Sequence, residues 1–151
     1  IAFVALPAAV VLAGGLAGFL KWESSSGREA QVAAAESVGA ARDTATAILS
    51  YHPDSVDKDL NGARDRLTGT FLDSYTKLIN DVVIPGAKQK KITAVAQVPA
   101  AASMSASTEV LVFINQAVTI GNDAPTNTAS SVRVTLEKVG GRWLVSGFDP
   151  I

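Results

Sequence analysis

The first twenty residues, "IAFVALPAAVVLAGGLAGFL", carry no charge, and all 13 Lys/Arg and 14 Asp/Glu of the 151-residue chain lie beyond them. Twenty helical residues rise about 30 Å, roughly the thickness of a bilayer's hydrocarbon layer. A secretory signal would need a short apolar region ending in a small-x-small cleavage site, and the exit Phe19-Leu20-Lys21-Trp22 does not offer one. A core helix would place polar residues along one side, and none is present. The composition therefore predicts a transmembrane anchor over residues 1–22. Lys21 and Trp22 are expected at the membrane interface, where a snorkelling amine and an amphipathic ring end a span. The chain opens at Ile1 with no methionine, so a segment upstream of it is expected.

Inside the span, Gly14 and Gly18 form a small-xxx-small pair with Gly15 and Ala17 alongside. Small residues let a second helix approach closely, which makes this half the expected partner-binding surface. Glycine and alanine are also simply common in membrane helices, and that bland reading stands beside the first. Pro7 is expected to bend the helix or mark its first turns.

The charges after residue 20 nearly cancel, to a net −1, with no lysine- or arginine-rich block, so nucleic-acid binding has no electrostatic footprint. Cysteine is absent, which excludes disulfides, thiolate catalysis and Cys-based metal sites. Residues 23–50 are expected to form a juxtamembrane stretch and the first helix of a folded domain, and residues 51–151 its remainder. Ala34, Val38, Ala41, Ala45 and Ile48 follow gaps of four and three, a narrow apolar stripe on one helix. A second helix is expected from about Val56 to Arg66, with Leu60, Ala63 and Leu67 on one side and Asp54 or Ser55 as cap. In a third, Phe71, Leu72, Tyr75, Leu78, Ile79, Val82 and Val83 predict a wide buried face, stopped by Pro85-Gly86.

From Ile92 the period turns from helical to alternating. Strands are expected over Ile92–Val98 with a bend at Pro99, over Glu109–Ile120, through Val132, Val134 and Leu136, and over the final "RWLVSGFDPI". Gly140-Gly141 supplies a tight hairpin turn. Helices first and strands afterwards predict an α+β fold, about three helices on a curved antiparallel sheet of about four strands.

The span, the alanine-rich helix, "LNGARDRLTGTFLDSYTKLINDVVIPGAKQKKI" and the closing "VGGRWLVSGFDPI" together resemble the actinobacterial Mce-associated membrane proteins. The resemblance covers nearly the whole chain. It implies a single-pass protein of the inner (plasma) membrane with its C-terminal domain in the periplasm. That domain is expected to be a nuclear transport factor 2-like (cystatin-like) cone, comparable to one in the inner-membrane assembly subunit of type IV secretion systems. The implied role is an accessory one, with the permease and substrate-binding subunits of an Mce lipid importer as partners, beside the membrane lipids themselves. Gly69, Pro85 and Trp143 carry structural jobs in this motif, Trp143 as a large core ring.

The same cone hosts isomerases, so His52, Asp73, Tyr75 and Asp81 are the candidate acid–base groups. Tyr75 falls on the apolar side of its helix and Asp73 and Asp81 on the polar side, so no base–oxyanion pair can be placed. No catalytic residue is expected, and no cofactor or metal ligand set appears at suitable spacing. A lipid-binding concave face is the remaining alternative. The expectation is that Phe71, Phe113 and Trp143 fill that face as ordinary core.

Overall fold

The computed structural model describes residues 27–105 and 108–151, and the anchor expected over residues 1–22 lies outside them. Residues 34–151 form one compact unit. Helix α1 covers 27–49; α2, Val56–Ala63, runs into a 3-10 turn at Arg64–Arg66; α3 is Gly69–Leu78 and α4 is Ile84–Lys90. The strands β1 (Ile92–Ser105), β2 (Glu109–Ile120), β3 (Thr126–Val139) and β4 (Arg142–Pro150) pair antiparallel in the order β1-β2-β3-β4. The result is an α+β meander sheet with three helical segments packed on one face.

Strand alternation decides which residues form the core. Val110, Val112 and Ile114 of β2, Val132, Val134 and Leu136 of β3 and Val145 of β4 are all buried, facing the helices. Each such aliphatic side chain contributes about 1.5–3 kcal/mol through burial. From α1 the stripe presents Ala41, Ala45 and Ile48, and from α2 come Val56, Leu60 and Ala63. Alanine on the helix side lets backbone approach sheet closely. The same two-residue period overturns one expectation: Phe113 sits between Val112 and Ile114, points to the opposite face, and is 43% exposed.

The third helical segment departs from its expected face. Ile84 N–H donates to Ile79 O, five residues back, so Ile79–Val83 is a π-turn joining α3 to α4. The buried positions run Tyr75, Ile79, Ile84, Ala87, and the wide turn supplies the step of five. That shift of phase leaves Leu78 and Val82 exposed, against the expectation that both are buried. It also explains why Pro85 does not stop the helix. A proline ring clashes with the carbonyl four residues back, and a widened turn moves that carbonyl aside. The helix ends instead at Lys91, in the left-handed region at φ 54°, whose N–H donates to Ala87 O.

Ser55 stands at the start of α2 without a side-chain capping bond to the backbone. Its hydroxyl and the His52 N–H both donate to Asp59 Oδ2, at 2.7 and 3.2 Å, so one carboxylate organises the entry to the helix. At the sheet, the Pro99 bend is a bulge: the register with β2 shifts between Gln97 and Ala100. Gly140 and Gly141 take φ 57° and 79°, the primed turn a two-residue hairpin favours.

Candidate functional site

The residues expected to bind a partner helix, Gly14, Gly15, Ala17 and Gly18, and the interface pair Lys21 and Trp22, lie outside the described residues. The candidate acid–base groups do not converge. His52, Asp73 and Asp81 are exposed, the first in the loop before α2 and the others on the outward sides of α3 and the π-turn. Tyr75 is buried, and its hydroxyl donates to Leu60 O at 3.5 Å. Burial alone pushes its phenol above the usual range, and Tyr51 shifts the same way for the same reason. A phenol held neutral on a helix carbonyl is a packing group. Among the described residues, no cluster of three or more His, Cys, Asp or Glu stands ready for a metal.

The face of the sheet that meets the helices is filled. Phe71 stacks on Phe148 with ring centroids 6.1 Å apart, half-buried at the edge of the core. Trp143 is also half-buried, so it seals the rim where the sequence predicts a core ring. Its indole N–H donates to Glu36 Oε2 of α1 at 3.2 Å, and Lys138 Nζ lies 5.6 Å from the ring centroid. Lys138 Nζ is 4.0 Å from the same carboxylate, a half-exposed pair that adds little by itself. This cluster ties α1 to the β3–β4 hairpin, beside a cleft of about 430 Å³ that Arg66 and Arg142 also line.

The opposite face of the sheet is the more distinctive surface. A trough of about 480 Å³ runs over Val95, Gln97, Asn115, Ala117, Asn127 and Ala129. A second, of about 440 Å³, continues it past Phe113 and Ser131 to Pro150 and Ile151. No charged side chain lines either trough. The signal was in the sequence: residues 92–132 contain Glu109 and Asp123 as their only charges. Depletion of charge together with aromatic side chains is how the centre of a protein interface differs from ordinary surface.

Residues 1–149 match the family described as "Uncharacterized protein Rv1363c/MT1408-like". The chain is 62% identical over 138 residues to the protein named "Outer membrane protein Rv1973" of Mycobacterium tuberculosis, covering 89% of this chain and 86% of that one. It is 39% identical over 148 residues to "Uncharacterized protein Rv1362c" of the same species, 94% of this chain and 67% of that one. Among solved structures, VirB8 of Agrobacterium tumefaciens superposes with a TM-score of 0.64 at 12% identity, over 82% of this chain and 92% of that one. The soluble domain of the type IV secretion protein TrwG from Bartonella grahamii gives 0.55 at 9% identity, over 84% and 94%. At such identities the likeness is one of fold.

Proposed function

The chain belongs to the Rv1363c/MT1408-like family, and from that premise we propose a non-catalytic accessory subunit anchored in the cell envelope. More specifically, we propose that it serves an Mce-type lipid import complex as a LucB-type subunit. Its span docks on the permease, and its folded domain stands in the periplasm beside the substrate-binding subunits. The observation that carries the non-catalytic reading is the filled helix-facing side of the sheet, where valine, leucine and isoleucine occupy the space a substrate would need. The exposed and scattered positions of His52, Asp73 and Asp81 support it.

The uncharged stretch 1–20 suits a single helix across the inner membrane. The close relative's name speaks of the outer membrane, and the fold neighbours include periplasmic domains, so all three point to the envelope. Outer-membrane spanning proteins close eight or more strands into a barrel, whereas the described sheet is an open meander of four. Among the described residues no helix is long and apolar enough to cross a membrane, and the proposed anchor over residues 1–22 lies outside them.

The alternative, a periplasmic lipid-binding module using the concave face, is disfavoured by the same packing. Protease treatment of spheroplasts tests the topology: the folded domain is expected to be cleaved or shed without permeabilisation. Mass spectrometry of the purified protein separates the two roles, since a stoichiometric co-purifying lipid overturns the accessory reading in favour of the carrier.

A further inference from the structure

The cleft between α1 and the β3–β4 hairpin is lined by charges that the fold itself leaves unpaired. One stripe of α1, through Glu36, Gly39, Ala40 and Asp43, forms its first wall. Glu36 is engaged by the Trp143 indole and by Lys138. Asp43 stands seven residues further on, about 10 Å along the helix axis. Among the described residues it makes no ion pair.

The rest of the lining includes Arg66 of the 3-10 turn and Arg142 of the hairpin. Arg142 Nη2 donates to Asp65 O at 3.5 Å, so its guanidinium rests on the peptide that leads into Arg66. Two positive side chains thus share one side of the cleft, and among the described residues neither makes an ion pair. Thr44 of α1 also lines the cleft. It is only 2% exposed, and among the described residues no hydrogen bond holds its hydroxyl.

Gly39 adds an independent observation. Glycine inside a helix is destabilising relative to alanine. Gly39 lies in the middle of α1 without a positive φ, and a Cβ there would meet nothing within 4 Å. Neither the backbone nor a packed neighbour requires glycine at this point. Close approach of a ligand to the backbone does.

We propose that this cleft, of about 430 Å³, binds a phosphate joined by a short linker to an amine, the phosphate on Arg66, Arg142 and Thr44 and the ammonium on Asp43. Two guanidinium forks and a hydroxyl present about five donor hydrogens, against about four lone-pair sites on a carboxylate; a phosphate accepts them all. Asp43 disfavours a bare anion and selects a ligand that carries its own positive charge. The ligand is the headgroup of an amine phospholipid or the free phosphoamine. The charged lining takes no acyl chain, which separates this cleft from a lipid carrier's cavity. The site stands independently of the anchoring and docking argued above.

Isothermal titration calorimetry of the full chain in an uncharged, phosphate-free detergent tests it. Phosphoethanolamine is expected to bind at about 0.1–1 mM, the scale for a ligand of about eight non-hydrogen atoms, and so to be lost on purification. Methyl phosphate and ethanolamine, each with half the ligand's charges, are expected to bind about tenfold more weakly or worse. Arg142→Gln is expected to weaken phosphoethanolamine by about the same factor. Asp43→Asn is expected to weaken phosphoethanolamine while methyl phosphate holds or tightens. Gly39→Leu fills the cleft and removes no charge. It is expected to abolish binding without lowering the unfolding midpoint, because leucine is the better helix former. Dihexanoyl phosphatidylethanolamine separates the sources: tighter binding than phosphoethanolamine assigns a lipid headgroup, and weaker binding assigns the free ester. No saturable heat with either ligand overturns the proposal. So does methyl phosphate binding as tightly as phosphoethanolamine, or unchanged binding by a folded Gly39→Leu chain. If a charge variant misfolds, Gly39→Leu decides.

Discussion

Tyr75 concentrates the residue-scale physics. Its ring is buried among Leu60, Phe71 and Ile79 positions of the core, and its hydroxyl makes one long bond. Tyr75→Ala is expected to cost about 3–5 kcal/mol, as for other large-to-small core changes, while Tyr75→Phe is expected to cost less than about 1 kcal/mol at neutral pH. The alkaline limb carries a further expectation. Burial raises the folded phenol above the usual 10.0. The stabilisation is thus complete below pH 10 and fades as the unfolded phenol ionises above it. Urea midpoints measured from about pH 8 to about pH 11 should fall less steeply for Tyr75→Phe than for the parent. An unchanged slope would remove Tyr75 from the alkaline transition. Phe113 is the opposite case: equally aromatic, but on the outward beat of β2. Phe113→Ser is expected to leave the unfolding midpoint within about 1 kcal/mol of the parent, since a half-exposed ring has far less burial to lose.

At the scale of elements, the ends of the third helical segment are the informative places. Lys91 holds a left-handed conformation to close α4, and Gly121 N–H donates to its carbonyl at 3.0 Å. Lys91→Gly is expected to raise stability by about 0.5–1 kcal/mol, since glycine takes that conformation without a Cβ clash. Gly141→Ala, at φ 79° in the β3–β4 turn, is expected to lower it by about 1–2 kcal/mol. Both are read from denaturant midpoints. Much of this layer was legible in the sequence, because local chemistry specifies it. The glycine pair marked the hairpin, Glu109–Ile120 marked β2 to the residue, and the alanine stripe marked the buried face of α1. What could not be read depends on relations between distant residues. The π-turn at Ile79–Val83 is chosen by which side chains fit the sheet, and helical periodicity carries no sign of a step of five. Trp143 lands at the rim because α1 offers Glu36 there, 107 residues earlier in the chain.

For the whole molecule, a sharp division of charge organises the account. The helices are studded with acidic and basic residues, including an Asp57–Lys88 ion pair between α2 and α4. The apolar stretch 1–20 carries no charge, and no charged side chain lines the two troughs on the outward face of the sheet, whereas Arg133 and Glu137 alternate outward along the rest of β3. Among the described residues the helix-facing side of the sheet is filled by aliphatic side chains, and that packing is the physical basis of the proposed accessory role. Affinity purification of the intact chain from native membranes in mild detergent tests that reading most directly, alongside a Gly14→Leu/Gly18→Leu variant. The account predicts that the parent brings down permease and Mce subunits, and that the variant loses them while its domain stays folded, because close helix packing drives docking. Recovery of the parent with no transporter subunit, alone or only with copies of itself, would contradict it.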